Sequence, residues 1–499
     1  MNSNYDRAFL WKLLVWIGVC AGLMKASGGA AALLFPILAL FMLGNRKPTH
    51  LLFLLLMMIC AQIGNTFFFP KSMLFVLSVR GTLLFLALAL ASQVFGRQQS
   101  RLLSPLGGIV AYLAWEVVSS FQGFAPIISY LKLILFSLIY WAYYAVTNIV
   151  IRDNRSDTTK IRSIVLAVAC LFLLGSILVM PFPGISLMTY EEARFQILLK
   201  SLFKGMTMHS QSLGPIAAMF SALILADLLF SVRKLNWLYV ALLISAPILV
   251  FKTSSRTALA TYLGSSAMIL FLFSRFRGAG TRWKGKVYNL VFLTVVLGSC
   301  LVLAIPHYRQ TMFRFVMKQQ ETENVIHSQD VGLEGIVASR MGAVDRSLYY
   351  FKRKPFLGNG FQVSEGMDRQ GGKGLLSYLS APIEKGVWVT AVLEEGGIVG
   401  LFLFAGFLIY AFSTLVKRGA YITASCLFTA ALSNMGEFTF FSMTYTGGLV
   451  WALVFAAVVL DHQRLRDEQR TRAGQEFPRG GWNLDFQRPV PFGARPFGY

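Results

Sequence analysis

Long apolar stretches separated by short polar connections follow one another along most of the chain. Most are about 17–25 residues long, the length that an α-helix needs to cross a hydrocarbon core of about 30 Å. Backbone groups in lipid must be paired within the segment, and unbroken apolar runs achieve this as helices, whereas barrel strands alternate. The pattern predicts an all-α polytopic membrane protein with about fourteen spanning helices. The predicted spans are 8–24, 28–44, 51–69, 73–95, 103–121, 127–149, 163–182, 212–232, 236–251, 257–274, 287–306, 387–414, 419–436 and 442–460.

Basic residues are distributed unequally over the connections between these spans. When the connections are numbered alternately, one set, together with the N-terminus and the C-terminal tail, holds most of the Lys and Arg residues. The short connections of the other set contain only Lys25, Lys71, Arg194, Lys200, Lys204, Lys252 and Arg256. Because cytoplasmic connections carry the excess of positive charge, both termini are predicted to be cytoplasmic.

Two regions fall outside the apolar pattern. Residues 307–386 mix charges of both signs and are predicted to form one large extracytoplasmic loop, in which an apolar stripe indicates a helix at 334–354. Residues 461–499, rich in Arg, Gly, Pro and Phe, are predicted to form a basic, disordered cytoplasmic tail. The predicted organisation is therefore helices 1–11 within 1–306, the loop, helices 12–14 within 387–460, and the tail.

Composition narrows the classes of partner. The chain is 56% hydrophobic and only 14% charged, too few charged residues for a soluble domain. Its net charge of +23 is spread over many connections, which indicates membrane lipids rather than nucleic acid as partners. The five cysteines lie in apolar runs, and neither a zinc-ligand spacing nor a nucleotide-binding motif is present. No metal and no cofactor is predicted.

A few ionisable residues fall inside or at the mouths of predicted spans, where insertion costs about 2.5–3.5 kcal/mol. Arg80, Glu116, Lys132 and Arg256 all fall in the predicted outer half of the membrane. They are either structural ion pairs and snorkelling side chains or a site for an anionic ligand. A ligand site is favoured for Arg80 and Arg256, with phosphate as the natural candidate because guanidinium groups bind its oxygens bidentately. Asp227, near the predicted inner end of its span, is interpreted as interfacial.

Three motifs occur in a fixed order in the second half of the chain. They are Thr253-Ser-Ser-Arg-Thr-Ala-Leu259, then Ser339-Arg340 followed by Pro355-Phe-Leu-Gly-Asn-Gly360, and then Val392-Leu-Glu-Glu-Gly-Gly-Ile-Val-Gly-Leu401. Their order, together with the second motif in the largest external loop, resembles the O-antigen ligase and O-antigen polymerase superfamily. The resemblance covers about residues 250–460; the earlier spans agree only in number and hydropathy.

The resemblance implies a metal-independent bacterial membrane glycosyltransferase at the outer face of the cytoplasmic membrane. Its donor would be an oligosaccharide carried by undecaprenyl diphosphate, and its acceptor a glycan or a lipid. In a ligase the acceptor is lipid A core, and in a polymerase it is another lipid-linked repeat unit. A chain-length regulator is a candidate further partner.

The resemblance also assigns residues. Arg256 and Arg340 match the family arginines that hold the diphosphate. Arg80 is added to this group on a separate ground, namely the cost of inserting a charged residue into the membrane. Ligases usually carry a His-Asn pair shortly before the glycine that matches Gly397, but Gly386 stands there instead. This departure favours a polymerase over a ligase.

A general base must then come from elsewhere on the outer side. His209, Glu394 and Glu395 are the candidates. The alternative for each is an ordinary polar residue at the membrane interface, or a carboxylate that is favoured at a helix N-terminus.

Two other classes stay open at this level. A lipid-glycan flippase or transporter would suit many spans, but no repeat between halves is visible and the long external loop is unexplained. A shape-and-division peptidoglycan glycosyltransferase also has a large external loop, but differs in span number.

Overall fold

A computed structural model describes most of the chain outside its termini. The described residues are 6–44, 48–70, 72–91, 100–152, 158–187, 203–231, 236–253, 255–276, 333–364, 385, 387–436, 439–442 and 446–476. Within these ranges the chain folds into helices and forms no β-strand, only isolated bridges such as that between Gly64 and Thr207. The predicted all-α class is confirmed.

The first half of the chain forms helices α1 to α9, with short 3-10 turns before α2 and α5. Their bounds are α1 Arg7–Ala26, α2 Leu34–Gly44, α3 Pro48–Ile63, α4 Met73–Ala91, α5 Ile109–Phe121, α6 Pro126–Arg152, α7 Thr158–Ala169, α8 Gly175–Val179 and α9 Pro183–Ser186. A π-helical turn at Cys170–Leu174 joins α7 to α8, so these two form one continuous rod.

The second half contributes α10 to α16. Their bounds are α10 Ser210–Phe230, α11 Trp237–Lys252, α12 Arg256–Phe276, α13 Leu333–Arg353, α14 Trp388–Lys417, α15 Tyr421–Ser433 and α16 Thr446–Glu476. Helix α13 lies where the loop helix was expected. The predicted span 287–306, the rest of the loop outside 333–364 and 385, and the tail beyond 476 lie outside the described residues.

Membrane-spanning capacity follows from helix length and hydropathy. Eight helical rods in the described ranges are long and apolar enough to cross a membrane, and five shorter apolar helices accompany them. The protein is thus an all-α, multi-pass membrane protein. Helix α10 is the most enclosed of the described spans, because α11, α12, α15 and α16 all pack against it.

The C-terminal boundary corrects a prediction. The tail was expected to begin at 461 without structure, but helix α16 continues to Glu476. The extension has a physical reason, since the buried Asp461 accepts hydrogen bonds from the Ile422 and Thr423 amides and so caps the first turn of α15. Arg464 follows on the same helix and pairs with Asp461 at 3.4 Å.

Aromatic side chains fill the interior beside the end of the bundle where α14 begins. Phe441 stacks on Tyr112 at 5.3 Å and meets Phe404, Phe136 and Phe361 edge-on or tilted at 5.1–5.2 Å between ring centroids. Rings at these separations add to the stabilisation from burial. Phe361 anchors the segment that follows α13 to this core.

Candidate functional site

The second and third sequence motifs are docked on each other. The turn Pro355–Gly360 runs along α14, where the Asn359 amide donates to the Glu394 carbonyl (2.8 Å) and the Gly360 amide to the Glu395 carbonyl (2.9 Å). In return the Ile398 amide donates to the Pro355 carbonyl at 2.8 Å. Residues far apart in sequence therefore form one rigid backbone unit.

Two glycines make this docking possible. Gly358 has φ +74°, and a Cβ there would overlap the Glu395 carbonyl. Gly397 has φ +66° and ψ −165°, breaks the helical geometry of α14, and lies against the Phe356 carbonyl. Both need the left-handed region that other residues enter only at a cost of about 1–2 kcal/mol.

A buried ion cluster lies directly behind this unit. Lys385 Nζ is 3.3 Å from Glu394 Oε1 and 3.0 Å from Glu395 Oε1, and all three side chains are at most 2% exposed. Ser347 of α13 and Ser364 each donate to Glu394 at 2.7 Å. The cluster thus joins α13, the segment after it and α14.

The charge on Lys385 is secured by its neighbours. Burial alone would favour the neutral amine, but the Glu394 and Glu395 carboxylates outweigh it and raise the pKa of Lys385 above its ordinary value. Lys385 Nζ also donates to the Val363 carbonyl at 2.8 Å.

Two further ionisable residues from the predicted spans border the cluster. Lys132 of α6 is 4% exposed and donates to the Gln362 carbonyl at 2.9 Å, so it does not reach the interface as a snorkelling side chain would. Glu116 of α5 is fully buried, and its carboxyl group packs against Gly396.

The first motif approaches the same end of the bundle through a different contact. Arg256 is the first residue of α12, and Gly436 packs against its neighbour Thr257. Two residues before Gly436, the Asn434 carbonyl accepts a hydrogen bond of 3.0 Å from the amide of Trp388, the first residue of α14. A single turn after α15 therefore connects the first motif to the third.

His209 precedes the helix that packs against the first motif. It comes directly before Ser210, the first residue of α10, and Gly214 in the second turn of α10 packs against Thr253, which caps α11, and against Ala258 near the start of α12. His209 is half-buried.

Arg80 belongs to a neighbouring junction. Its Nε lies 3.4 Å from Gln62 Oε1 near the end of α3. The residue after Gln62 binds the segment that leads to His209, since the Met208 amide donates to the Ile63 carbonyl at 2.8 Å. Arg80 and His209 therefore flank the same junction.

The structure does not describe every candidate residue. Arg340 lies on α13, but its side chain is outside the described part. Sequence reasoning overlooked Lys385, Ser347 and Ser364 as partners of Glu394. A signal for Lys385 was present, because a lysine beside an apolar segment that contains two carboxylates is a natural counter-ion.

The interpretation of Asp227 as an interfacial residue is wrong. It is 5% exposed and forms a bidentate pair with Arg162 of α7, with distances of 2.6 and 2.7 Å. Ser231 and Tyr239 complete its shell with hydrogen bonds of 2.7 and 3.0 Å. Burying an unpaired charge is costly, which explains why the Asp227 carboxylate is paired with Arg162 and accepts further hydrogen bonds. We call this arrangement a closed pair.

Fold and site together define an all-α, multi-pass membrane protein with a buried lysine–carboxylate cluster at one end of its helices. No model of a known protein family matches the chain, and comparison with curated proteins finds no match either. Among the described residues, no three His, Cys, Asp or Glu side chains are grouped so that they could hold a metal ion.

Proposed function

We propose that the protein is a polymerase of bacterial surface polysaccharide, either O-antigen or exopolysaccharide. It acts in the cytoplasmic membrane through about fourteen spans, with both termini in the cytoplasm and the site of transfer at the outer face. It transfers a glycan from undecaprenyl diphosphate to a hydroxyl group of an acceptor sugar, without a metal or other cofactor.

The observation that carries this proposal is the convergence of the three motifs. The turn Pro355–Gly360 is hydrogen-bonded to Glu394 and Glu395, and the Asn434–Gly436 turn ties the start of α14 to Thr257. Residues that a family resemblance picks out from separate parts of a chain rarely meet at one end of a bundle unless they share a site. This convergence supports the proposal without identifying the sugar.

In the proposed reaction, the acceptor oxygen forms a bond to the anomeric carbon as the bond from that carbon to the diphosphate oxygen breaks. The bonding electrons leave with the lipid diphosphate, and the acceptor proton passes to a base. Arg256 and Arg340 hold the diphosphate, with Arg80 adding positive charge to the donor site. Fixed guanidinium groups would stabilise the charge that develops on the leaving group.

The base is proposed among Glu394, Glu395 and His209. Glu394 already accepts hydrogen bonds from Ser347 and Ser364 on its two oxygens. Glu395 contacts Lys385 and keeps more capacity to accept a proton, so we assign the role to Glu395 first. His209 is the alternative on the side of the first motif.

The test is a deletion strain of the source organism complemented with the wild-type gene, Arg256→Ala or Arg340→Ala, with its glycolipids separated by gel electrophoresis. Lys252→Ala and Arg346→Ala are matched controls, because each removes an exposed cation close to the tested one. Membrane levels of every variant are compared by immunoblot.

The expected result is that single repeat units accumulate in the deletion strain, and that the two controls restore polymer whereas Arg256→Ala and Arg340→Ala do not. Full-length lipid-linked polymer that never reaches lipid A core would identify a ligase. Precursor trapped at the cytoplasmic face would identify a transporter. Full polymer synthesis by both arginine variants would contradict the assigned diphosphate site.

A further inference from the structure

Glu116 is a buried carboxyl group for which the described part of the chain provides no hydrogen-bond donor. Its side chain is fully buried in α5, and neither oxygen has a hydrogen-bond partner among the described residues. Gly396 and Gly400 of α14 lie against Glu116 Oε1. A Cβ atom added at Gly400 would be only 3.5 Å from this oxygen. Glycine at these positions leaves room for the carboxyl group but offers it no side-chain donor.

The ionisable groups in the surroundings of Glu116 come from four parts of the chain. On its own helix the Tyr112 hydroxyl is near, but not at hydrogen-bonding geometry. Glu395 faces it from α14, and the ammonium of Lys385 lies beyond that carboxylate. From α6, Lys132 interacts with Glu395 and Lys385 rather than with Glu116.

The charges of this region do not balance if every group is ionised. Its described carboxylates are those of Glu116, Glu394 and Glu395, whereas its described cations are only Lys132 and Lys385. The cations are already engaged, because Lys385 pairs with Glu394 and Glu395 and Lys132 donates to the Gln362 carbonyl. An ionised Glu116 would therefore be a buried charge with no donor among the described residues, next to a second carboxylate.

We propose that Glu116 is a protonated carboxylic acid in the folded protein and that, together with the Glu395 carboxylate, it forms a buried proton-binding site. The bound species is a proton rather than a metal ion, since the described acidic groups are not arranged as a metal-binding set. The site does not depend on the proposed transferase activity and can be tested without any substrate.

The experiment is infrared spectroscopy of the purified full-length protein in detergent at neutral pH, in H₂O and D₂O. The carbonyl stretch of a protonated carboxylic acid is separate from the carboxylate bands and shifts in D₂O. Wild type is compared with Glu116→Gln, which keeps the shape and neutrality of the protonated side chain. Asp345→Asn removes an exposed acid of α13 and serves as the matched control.

We expect a protonated-acid band in wild type that persists in Asp345→Asn and disappears in Glu116→Gln. In Glu395→Gln the band should weaken, because the neighbouring negative charge that opposes ionisation of Glu116 is removed and the new amide offers a donor. Should Glu116→Gln yield no folded protein, Glu116→Asp provides the same test through a shifted band. A wild-type spectrum without the band, or a band unaffected by both Glu116 substitutions, would overturn the proposal.

Discussion

Two buried charge networks lie at opposite ends of α15, and they are completed to different degrees. Near its first residue, where Tyr421 meets Phe230 at 5.0 Å, Asp227 forms a bidentate pair with Arg162, with Ser231 and Tyr239 as further donors. Near its last residue, where Asn434 binds Trp388, one ammonium pairs with both Glu394 and Glu395, and Glu116 lies close by with no donor among the described residues.

The difference separates two uses of buried charge. A closed pair with all its hydrogen bonds made fixes one arrangement of helices and has no capacity left for a ligand. An unbalanced cluster keeps the ability to accept protons or donors, which is the property that a functional site requires. The end of the bundle where the three motifs meet is therefore also the end where the described buried carboxylates outnumber the described buried cations.

The largest expected effect is that of removing the shared ammonium. Lys385→Met leaves two buried carboxylates without their cation and should lower the free energy of unfolding by about 5 kcal/mol. Thermal unfolding in detergent measures this loss, with Lys417→Met at the exposed end of α14 as control.

The pH dependence of stability, compared between wild type and Lys385→Met, tests the same ion cluster. Because the pKa of Lys385 is raised on folding, its contribution in wild type is complete below about pH 10.4 and is lost only as the pH rises through the folded value. Lys385→Met should instead regain stability as the pH falls, since its carboxylates can be protonated. Equal pH profiles for the two proteins would argue against the ion cluster.

Opening the closed pair should have a somewhat smaller effect. Arg162→Met removes one partner of Asp227 and should cost about 3 kcal/mol, with Ser231 and Tyr239 limiting the loss. The double variant Arg162→Met/Asp227→Leu should recover much of it, because an apolar pair needs no compensation. Unfolding curves of both are compared with that of Arg152→Met, which removes an exposed arginine. If the double variant is no more stable than Arg162→Met, the pair contributes more to stability than the mutual compensation of two buried charges.

Breaking the docking of the motifs should come next. Gly397→Ala places a side chain at φ +66° against the Phe356 carbonyl. The loss should exceed the roughly 1–2 kcal/mol of left-handed strain alone, because the carbonyl must also move. Gly406→Ala, on the same helix with open space around it, is the control and should be neutral or slightly stabilising. Polymer synthesis restored in full by Gly397→Ala would show that the docking is not needed for function.

The smallest effect is expected from a single hydrogen bond of the cluster. Ser347→Ala removes a buried donor 2.7 Å from Glu394 Oε2 and should cost about 1.5 kcal/mol, as for other bonds to charged groups. Ser413→Ala, whose hydroxyl bonds only within its own exposed helix turn, should change thermal unfolding little. A Ser347→Ala variant as stable as this control would show that α13 is not held through Glu394.

Hydropathy predicted most of the helices, because a spanning helix is written locally in about 20 consecutive apolar residues. Every predicted span except 287–306, which is not described, overlaps a helix. The end of α16 was predicted wrongly because its continuation depends on Asp461 capping α15, a contact between segments that no local pattern reveals.

The candidate site was predicted in its parts rather than in its arrangement. Cost of insertion singled out Glu116 and Lys132, and the family resemblance singled out Glu394 and Glu395. None of these signals indicated that Lys385 and Ser364 would both bind Glu394. Many polar residues of the loop have the chemistry to bind a carboxylate. Which of them does so depends on the distances that arise only when the chain has folded.

The sequence by itself determined that the chain is helical and crosses a membrane several times, since both properties follow from apolar length and from backbone hydrogen bonding in lipid. Only the tertiary structure decided that Asp227 is closed by Arg162 and that Glu116 has no described donor. Burial and hydrogen bonding of a charge are properties of its surroundings, and those are assembled from helices that lie far apart in the chain.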